Sequence, residues 1–177
     1  MRGQAHTLEA VVAALLVLGG VVFAIQSTAV TPLSASTSNQ HIENQQRAQA
    51  ADLLAVAHEN DTLRGAAYAA WNDTYRNAGP PNAFGAALNR TFGDARVAFN
   101  VRVTSPEAGR KTLVNQGEPT DNAVATSHPL VLLDDTPYPG FDNVTDASAA
   151  GAFNVQDSST ETELFAVMEV HLVVWRI

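Results

Sequence analysis

The feature that most constrains this chain is an uncharged apolar run from Ala10 to Ile25, with one carboxylate, Glu9, directly before it. As an α-helix, residues 8–25 would rise about 27 Å at ~1.5 Å per residue, close to the ~30 Å hydrocarbon thickness of a bilayer. No polar stripe interrupts the run, although a surface helix of a water-soluble domain needs one. We therefore predict a leader and transmembrane helix over residues 1–30.

The charges that flank the apolar run predict its orientation. Arg2 lies on the short side, and no basic residue follows directly after Ile25. The positive-inside rule then places the N-terminus in the cytoplasm and the main domain outside the cell membrane, anchored by a single span. A cleaved secretory signal peptide is an alternative, but the segment VVFAIQSTAV offers only a weak cleavage site.

The opening residues MRGQAHTLEA combine a short basic leader, a glycine and a Glu at the head of an apolar helix. They resemble the class III signal peptide of type IV pilins and, together with VVFAIQSTAVTPL, a poorly characterised group of pilin-like envelope proteins of salt-loving archaea. The resemblance implies a prepilin-type peptidase that cuts on the cytoplasmic side and leaves the helix attached. A cut after Gly3 would make Glu9 the sixth mature residue, whereas a cut after Gln4 would make it the fifth, the common position in that family.

The resemblance also implies a role for Glu9, which would pair with the terminal amine of a neighbouring subunit during filament assembly. The other interpretation is an uncleaved anchor whose Glu9 lies at the level of the lipid headgroups. A charged side chain in the middle of the bilayer costs about 2.5–3.5 kcal/mol on insertion scales, so Glu9 is either functional or close enough to the interface to reach water. Both interpretations stay open from the sequence.

Composition excludes several classes of function. The formal net charge is −8, and the ten Lys and Arg residues form no cluster of the kind that nucleic-acid phosphates require, so we expect no nucleic-acid partner. The chain contains no cysteine, which excludes disulfides and thiolate metal ligands. An acidic, lysine-poor and alanine-rich composition is typical of proteins from salt-loving microbes, in which negative charge maintains solubility.

Beyond the span, a Ser/Thr/Pro linker over residues 31–38 precedes a predicted extracytoplasmic domain over residues 39–177. Helical periodicity predicts an amphipathic helix over residues 39–59. A second helix is predicted over residues 62–77, with Asn60 and Asp61 as its cap and the segment AGPP after its end.

The period of the apolar residues then changes to two, which predicts strands. In ARVAFNVRV one face carries Val97, Phe99, Val101 and Val103. Further strands are predicted over residues 111–115, 123–133 and 163–176. The apolar face of the last strand consists of Leu164, Ala166, Met168, Val170, Leu172 and Val174. Helices followed by strands predict an α+β fold, with an antiparallel sheet of about four strands packed on the first helix of the domain.

Charge spacing predicts the register between the first and last strands. Arg96 and Arg102 are separated by the same interval as Glu163 and Glu169. In an antiparallel pair, one register places Arg96 opposite Glu169 and Arg102 opposite Glu163. Such cross-strand charge pairs contribute only ~0.2–1 kcal/mol each, so they would select the register more than they would stabilise the sheet.

No motif of an enzyme is present, and we expect no catalytic residue and no cofactor. The spacing of the histidines matches no metal site, and the chain has no nucleophile elbow, no P-loop and no dinucleotide fingerprint. A bent loop, DDTPYPGFDNVTD, does offer oxygen ligands for a hard cation. Its carboxylates are Asp134, Asp135, Asp142 and Asp146. Because their spacing does not match an EF-hand, a solvated acidic loop is the favoured interpretation and no metal is predicted.

Four Asn-x-Thr sequons lie in the predicted outer domain, at Asn60, Asn72, Asn89 and Asn143. They are candidates for N-linked glycosylation, because the motif is the acceptor signal on exported chains. The sequence as a whole predicts a membrane-anchored structural subunit whose partners are other pilin-like subunits or envelope proteins. The alternative is an uncleaved single-span accessory protein whose outer domain binds an envelope partner without catalysis.

Overall fold

The computed structural model describes residues 13–18, 21, 40–93, 96–120 and 122–177. The chain divides into two compact units, Met1–Ile42 and Glu43–Ile177. In the first unit, residues 13–18 and 21 are helical and exposed. Within the described ranges, no helix is both long enough and apolar enough to cross a membrane. Most of the predicted span, and the predicted domain boundaries at residues 30 and 38, lie outside those ranges.

The second unit contains helices followed by a sheet. Residues 40–59 are helical, and we refer to this helix as α1; its part from Glu43 onward belongs to the second unit. The helices that follow are α2 Thr62–Asn72, α3 Ala83–Phe92 and α4 Val144–Ala149. The strands are β1 Val97–Ser105, β2 Gly109–Asn115, β3 Val124–Leu133 and β4 Leu164–Arg176. This order confirms the predicted α+β class.

The start and end of α2 differ from the prediction. Asp61 occupies the N-cap position, but it has a left-handed φ of 58° and its side chain forms an ion pair with Arg64 instead of a cap hydrogen bond. The helix ends at Asn72, five residues earlier than predicted, because Tyr75 pairs with the outer edge of β2. There Tyr75 N donates to Leu113 O (2.8 Å) and Tyr75 O accepts from Asn115 N (2.8 Å). These tertiary bonds replace those that a longer helix would have made.

The four strands form one antiparallel sheet in the order β2-β1-β4-β3. The predicted neighbours β1 and β4 do pair, but the predicted register is wrong by eight residues: Arg102 lies opposite His171, and Glu169 lies opposite Thr104. In the predicted register, β1 beyond Val101 would have faced residues that precede β4. In the observed register, all residues of β1 from Val97 to Thr104 pair with residues of β4. The additional backbone hydrogen bonds stabilise this register more than the weak charge pairs would have stabilised the predicted one.

An even shift leaves the faces of the strands unchanged, so the predicted core face of β1 is confirmed for Phe99, Val101 and Val103, all of them buried. The ring of Phe99 lies 6.0 Å from that of Phe92 in α3. The predicted apolar face of β4 is interrupted near its start by a bulge opposite Leu133. There Phe165 is fully buried and stacks on Phe153, whereas Leu164 is only half-buried.

The helices cover one face of the sheet, and the chain that leaves β2 covers part of the opposite face. Because β2 and β3 lie at opposite edges, their connection has to pass β1 and β4. It begins over Asn100, whose Oδ1 accepts from Gln116 N (2.8 Å) and whose Nδ2 donates to Gly117 O (2.9 Å). Asn100 is therefore only 3% exposed, and Trp175 on the same face is 2% exposed. The rest of this face, which we call the open face, is accessible at Val131 and Val167.

Candidate functional site

The residues predicted for processing and assembly, Gly3, Gln4 and Glu9, lie outside the described residues. The first described segment, residues 13–18, is helical and includes four consecutive large apolar side chains. Their exposed fractions lie between 61% and 72%, for Leu15, Leu16, Val17 and Leu18. Successive residues are rotated by about 100° around a helix axis, so four of them leave no polar face. The exposed apolar side chains of this segment therefore point in several directions around the helix axis.

Each of the four sequon asparagines lies in or directly beside a different helix. Asn60 directly follows α1, Asn72 is the last residue of α2, Asn89 lies within α3 and Asn143 caps α4. The first three are exposed, whereas Asn143 is half-buried. The sequence identified these sites, but their availability depends on contacts that only the fold supplies.

The side chains of two sequon asparagines, Asn89 and Asn143, accept hydrogen bonds from backbone N–H groups. The Oδ1 atom of Asn143 accepts a hydrogen bond from Asp146 N (2.8 Å), which fixes the first turn of α4. Asn89 Oδ1 accepts from Gly79 N (3.0 Å). The loop held in this way packs closely on α3, since a Cβ added at Gly85 would lie 1.8 Å from Pro80 O. Both asparagines therefore have structural roles.

The acidic segment is not the continuous loop that the sequence suggested. Asp146 lies in the first turn of α4, a helix of six residues that gave no periodic signal, although the Asn143 cap three positions earlier could have indicated it. Among the described residues, no group of three or more His, Asp or Glu side chains could hold a metal ion. The carboxylates near Asp134 belong instead to Asp157, Asp135 and Glu163. Partial burial, and then these like charges, raise the pKa of Asp134.

The open face carries a polar cluster that joins β3 to β4. Ser127 Oγ donates to Glu169 Oε1 (2.6 Å), and Glu169 Oε2 lies 3.3 Å from His171 Nε2. The carboxylate lies between the hydroxyl and the imidazole, so the histidine does not contact the hydroxyl proton as a nucleophile and its base require. Ser127 and its sequence neighbour His128 point to opposite faces of β3. The geometry supports a cross-strand contact and offers no catalytic arrangement.

Helix α1 takes part in two features that the sequence did not predict, a ring contact with β3 and a groove beside α3. The ring of His58 lies 4.6 Å from the ring of His128 in β3, which places the end of α1 against the sheet. On its other side α1 forms a groove of about 490 Å³ with α3, lined chiefly by small and apolar side chains, with Asp52 and Arg90 among the lining residues. Sequence reasoning missed the groove because it did not predict α3 as a helix.

One family model matches the chain, over residues 2–174, and its description is "Family of unknown function (DUF7288)". No curated protein and no solved structure matches the chain significantly. The match extends from the apolar N-terminal run through β1, β2 and β3 to most of β4, so a single family includes both units. The chain belongs to the DUF7288 family.

Proposed function

We propose that this chain is a pilin-like structural subunit, or a minor component, of an archaeal envelope filament or assembly. A single N-terminal helix anchors it in the cell membrane, with its N-terminus in the cytoplasm. The domain over residues 39–177 lies outside and takes no part in catalysis. Its partners are the membrane, other pilin-like subunits or envelope proteins, and a prepilin-type peptidase.

The observation that carries the proposal is the exposure of the helical segment with Leu15, Leu16, Val17 and Leu18. Its apolar side chains point in every direction around the helix axis, so water would contact all of them in an isolated molecule. Two environments satisfy such a segment: the hydrocarbon of a membrane and a bundle of similar helices. A pilin-like subunit uses both, first as an anchored precursor and then within an assembly.

The second unit supports the proposal because it has a core of its own. Helices α1 to α3 supply Leu54, Leu63 and Leu88, and the sheet supplies Phe99 and Leu172, all of them fully or almost fully buried. The chain contains no cysteine, so packing holds this unit together without disulfides. A stable outer domain after a membrane helix is the layout expected for a pilin-like head.

Glu9 would supply the specific step of assembly. In an apolar helix bundle, an unpaired carboxylate and an unpaired terminal amine each carry a large desolvation cost, and pairing them removes much of it. The carboxylate of one subunit and the new amine of its neighbour would therefore fix the axial position of the helices. Apolar contacts alone would allow many positions, because Leu and Val side chains pack similarly at successive turns.

Intact-mass analysis of protein extracted from native membranes tests the leader. Loss of the residues through Gly3 or Gln4 would support processing. In a second experiment Glu9→Ala should lower the amount of protein in purified envelope assemblies at least several-fold. Membrane insertion should be unchanged or improved, because the substitution removes a charge from the helix. Glu59→Ala, which removes an exposed carboxylate at the end of α1, is the matched control and should assemble normally.

An uncleaved accessory protein is the second candidate, favoured by the sixth position that Glu9 takes after a cut at Gly3. Retention of the full leader, with normal recovery of the Glu9→Ala variant, would select it. Both candidates share one topology, which trypsin added to intact cells tests at the exposed residue Arg76. Cleavage after Arg76 supports an outer domain, and protection that persists until the membrane is opened would overturn both candidates.

A further inference from the structure

The sequon at Asn60 folds back on the end of α1. Asn60 Nδ2, the atom to which a sugar would be attached, donates to Val56 O (3.0 Å). The hydroxyl of Thr62 donates to Ala57 O (3.1 Å), and Asp61 between them has a left-handed φ of 58°. Both reactive groups of this sequon therefore bond to α1. At Asn89 and Asn143 the amide oxygens hold backbone N–H groups, and the sequon residues that follow lie in α3 and α4 and so are helical rather than extended.

The sequon at Asn72 has a different shape. Asn72 ends α2 and is exposed, and Asp73 continues in an extended conformation with φ −152° and ψ 163°. Thr74 is exposed as well, and its hydroxyl donates to Thr112 O (2.8 Å) at the outer edge of β2. In the part of the chain that the structure describes, no group forms a hydrogen bond with the Asn72 side chain. An extended, exposed sequon with a free amide is the form that an enzyme active site can bind.

We infer that Asn72 is the acceptor of an N-linked oligosaccharide on this protein. The inference rests on the proposed function, because the modification requires the domain to lie outside the cell membrane. The oligosaccharide would project beside the outer edge of β2, since Thr74 and Tyr75 attach the sequon to that strand. The groove between α1 and α3 would remain uncovered by this modification, and so would the open face.

The transfer of the oligosaccharide is a nucleophilic substitution at carbon. The nitrogen Nδ2 of Asn72 attacks C1 of the first sugar of a glycosyl phosphate donor carried on a membrane lipid. A bond forms between Nδ2 and C1, and the bond between C1 and the phosphate oxygen breaks. The lipid phosphate leaves with the electron pair, and a base of the transferase takes one amide proton. No oxidant or reductant is required.

The test compares single variants of the full chain, expressed in its native cells and analysed by intact mass and glycopeptide sequencing. Asn72→Gln and Thr74→Ala should both abolish the mass increase at this site. Thr74→Ser keeps the hydroxyl of the sequon and should retain the modification. Asn60→Gln, Asn89→Gln and Asn143→Gln are the matched controls, and each should retain the mass increase at Asn72.

Sugar on one of the other three asparagines, with Asn72 unmodified, would overturn the inference, because transfer would then have ignored the folded geometry. An unmodified protein that trypsin cleaves after Arg76 on intact cells would also overturn it, and would leave the proposed location outside the cell standing. Protection of Arg76 from trypsin on intact cells would contradict the proposed function, and the inference that rests on it would fail as well. The three results are distinguishable in one set of samples.

Discussion

The two outer edges of the sheet are protected in different ways. The outer edge of β2 is covered, because the chain after α2 returns to it and Tyr75 pairs with Val114. The outer edge of β3 pairs with no other strand among the described residues, and Pro129 lies in the middle of this strand. Proline has no N–H, so it interrupts the row of donors that an additional strand would need. One edge is closed by a partner segment, and the other by the absence of a donor.

The segments next to both edges are also attached to α2, again by different means. At the C-terminal end of α2 the attachment to β2 consists of main-chain hydrogen bonds at Tyr75. In its middle, Tyr68 OH donates to Pro137 O (3.1 Å) in the segment that follows β3. α2 therefore braces the sheet on both sides, through its backbone continuation toward β2 and through the Tyr68 phenol toward β3. Each attachment can be removed separately.

The largest effect is expected from Tyr75→Pro on the β2 side. The substitution removes the bond from Tyr75 N to Leu113 O and leaves a carbonyl of β2 without its partner. We expect the free energy of unfolding to fall by ~2–3 kcal/mol, measured by urea denaturation. Tyr75→Phe keeps the backbone and the ring, and serves as the control. A midpoint equal to that of the control would mean that the cover does not contribute to stability.

On the β3 side, we expect the protein to lose stability in alkaline solution because of the buried Tyr68 phenol. Burial, opposed by Arg64 and assisted by Tyr138 and Asp61, raises the pKa of Tyr68 to about 12. Between the ordinary value of 10.0 and this value, the folded state binds more protons than the unfolded state. Stability that is fully present below pH 10 is therefore lost as the pH rises toward 12, by up to about 2 kcal/mol after allowance for partial solvent access.

Tyr68→Phe checks this alkaline prediction through unfolding curves measured from pH 8 to 12. The variant should lose about 1 kcal/mol at pH 8, because the hydrogen bond to Pro137 O is gone, and its stability should then fall less steeply with pH. Tyr75→Phe removes a different phenol and provides the comparison. Parallel pH profiles for Tyr68→Phe and the unmodified chain would contradict the assignment to Tyr68.

A smaller effect on stability, but a visible one on association, is expected from Pro129→Val. The variant restores an N–H donor in the middle of the exposed β3 edge, next to Val131, which is 53% exposed. The free energy of unfolding should change by less than ~0.5 kcal/mol, while light scattering of the detergent-solubilised chain should show more self-association. Pro129→Lys restores the donor but adds a charge, and should remain as dispersed as the original chain. Equal association of all three proteins would show that Pro129 does not protect this edge.

The smallest effect is expected at the end of β3, from Asp134→Asn. Because the pKa of Asp134 is raised in the folded state, ionising its carboxylate costs more there than in the unfolded chain. Its protonated form is favoured below the raised pKa, and the folded state loses stability as the pH increases through that value. The Asn variant should therefore melt slightly higher than the original chain at pH 7 and about equally at pH 3. A melting temperature of the Asn variant below that of the original chain at pH 7 would contradict this prediction.

The faces of the strands could be predicted from the sequence, but their register could not. Phe99, Val101 and Val103 alternate with residues of the other face, and this pattern survives any even shift along β4. The choice among even shifts depends on how many backbone pairs form, a property of both strands together. The pairing of Tyr75 with the outer edge of β2 could not be predicted for a related reason. The helical pattern that runs through Tyr75 does not show that a strand edge competes for the backbone N–H and C=O of this residue.

For the candidate site, the sequence identifies four candidate acceptor asparagines but does not rank them. Asn89 and Asn143 match the motif as well as Asn72 does. What separates them is the bond from Gly79 to Asn89 in one case and the helix cap in the other. The first of these bonds joins residues ten positions apart and exists only after a loop has folded against α3. Local patterns contain no information about such a contact.

The central position of β4 has a consequence for the order of events during synthesis. β4 follows the other described elements along the chain, yet it lies between β1 and β3, and within the described residues β3 has no other neighbour in the sheet. While the chain is still emerging, β1 and β2 can form a hairpin, but β3 must wait unpaired until residues 164–176 have been made. Pairing of Val97 with Arg176 then closes a long loop, which makes such a step slow. The four-stranded sheet can therefore be completed only after synthesis has reached residue 176, however early the helices and the first hairpin form.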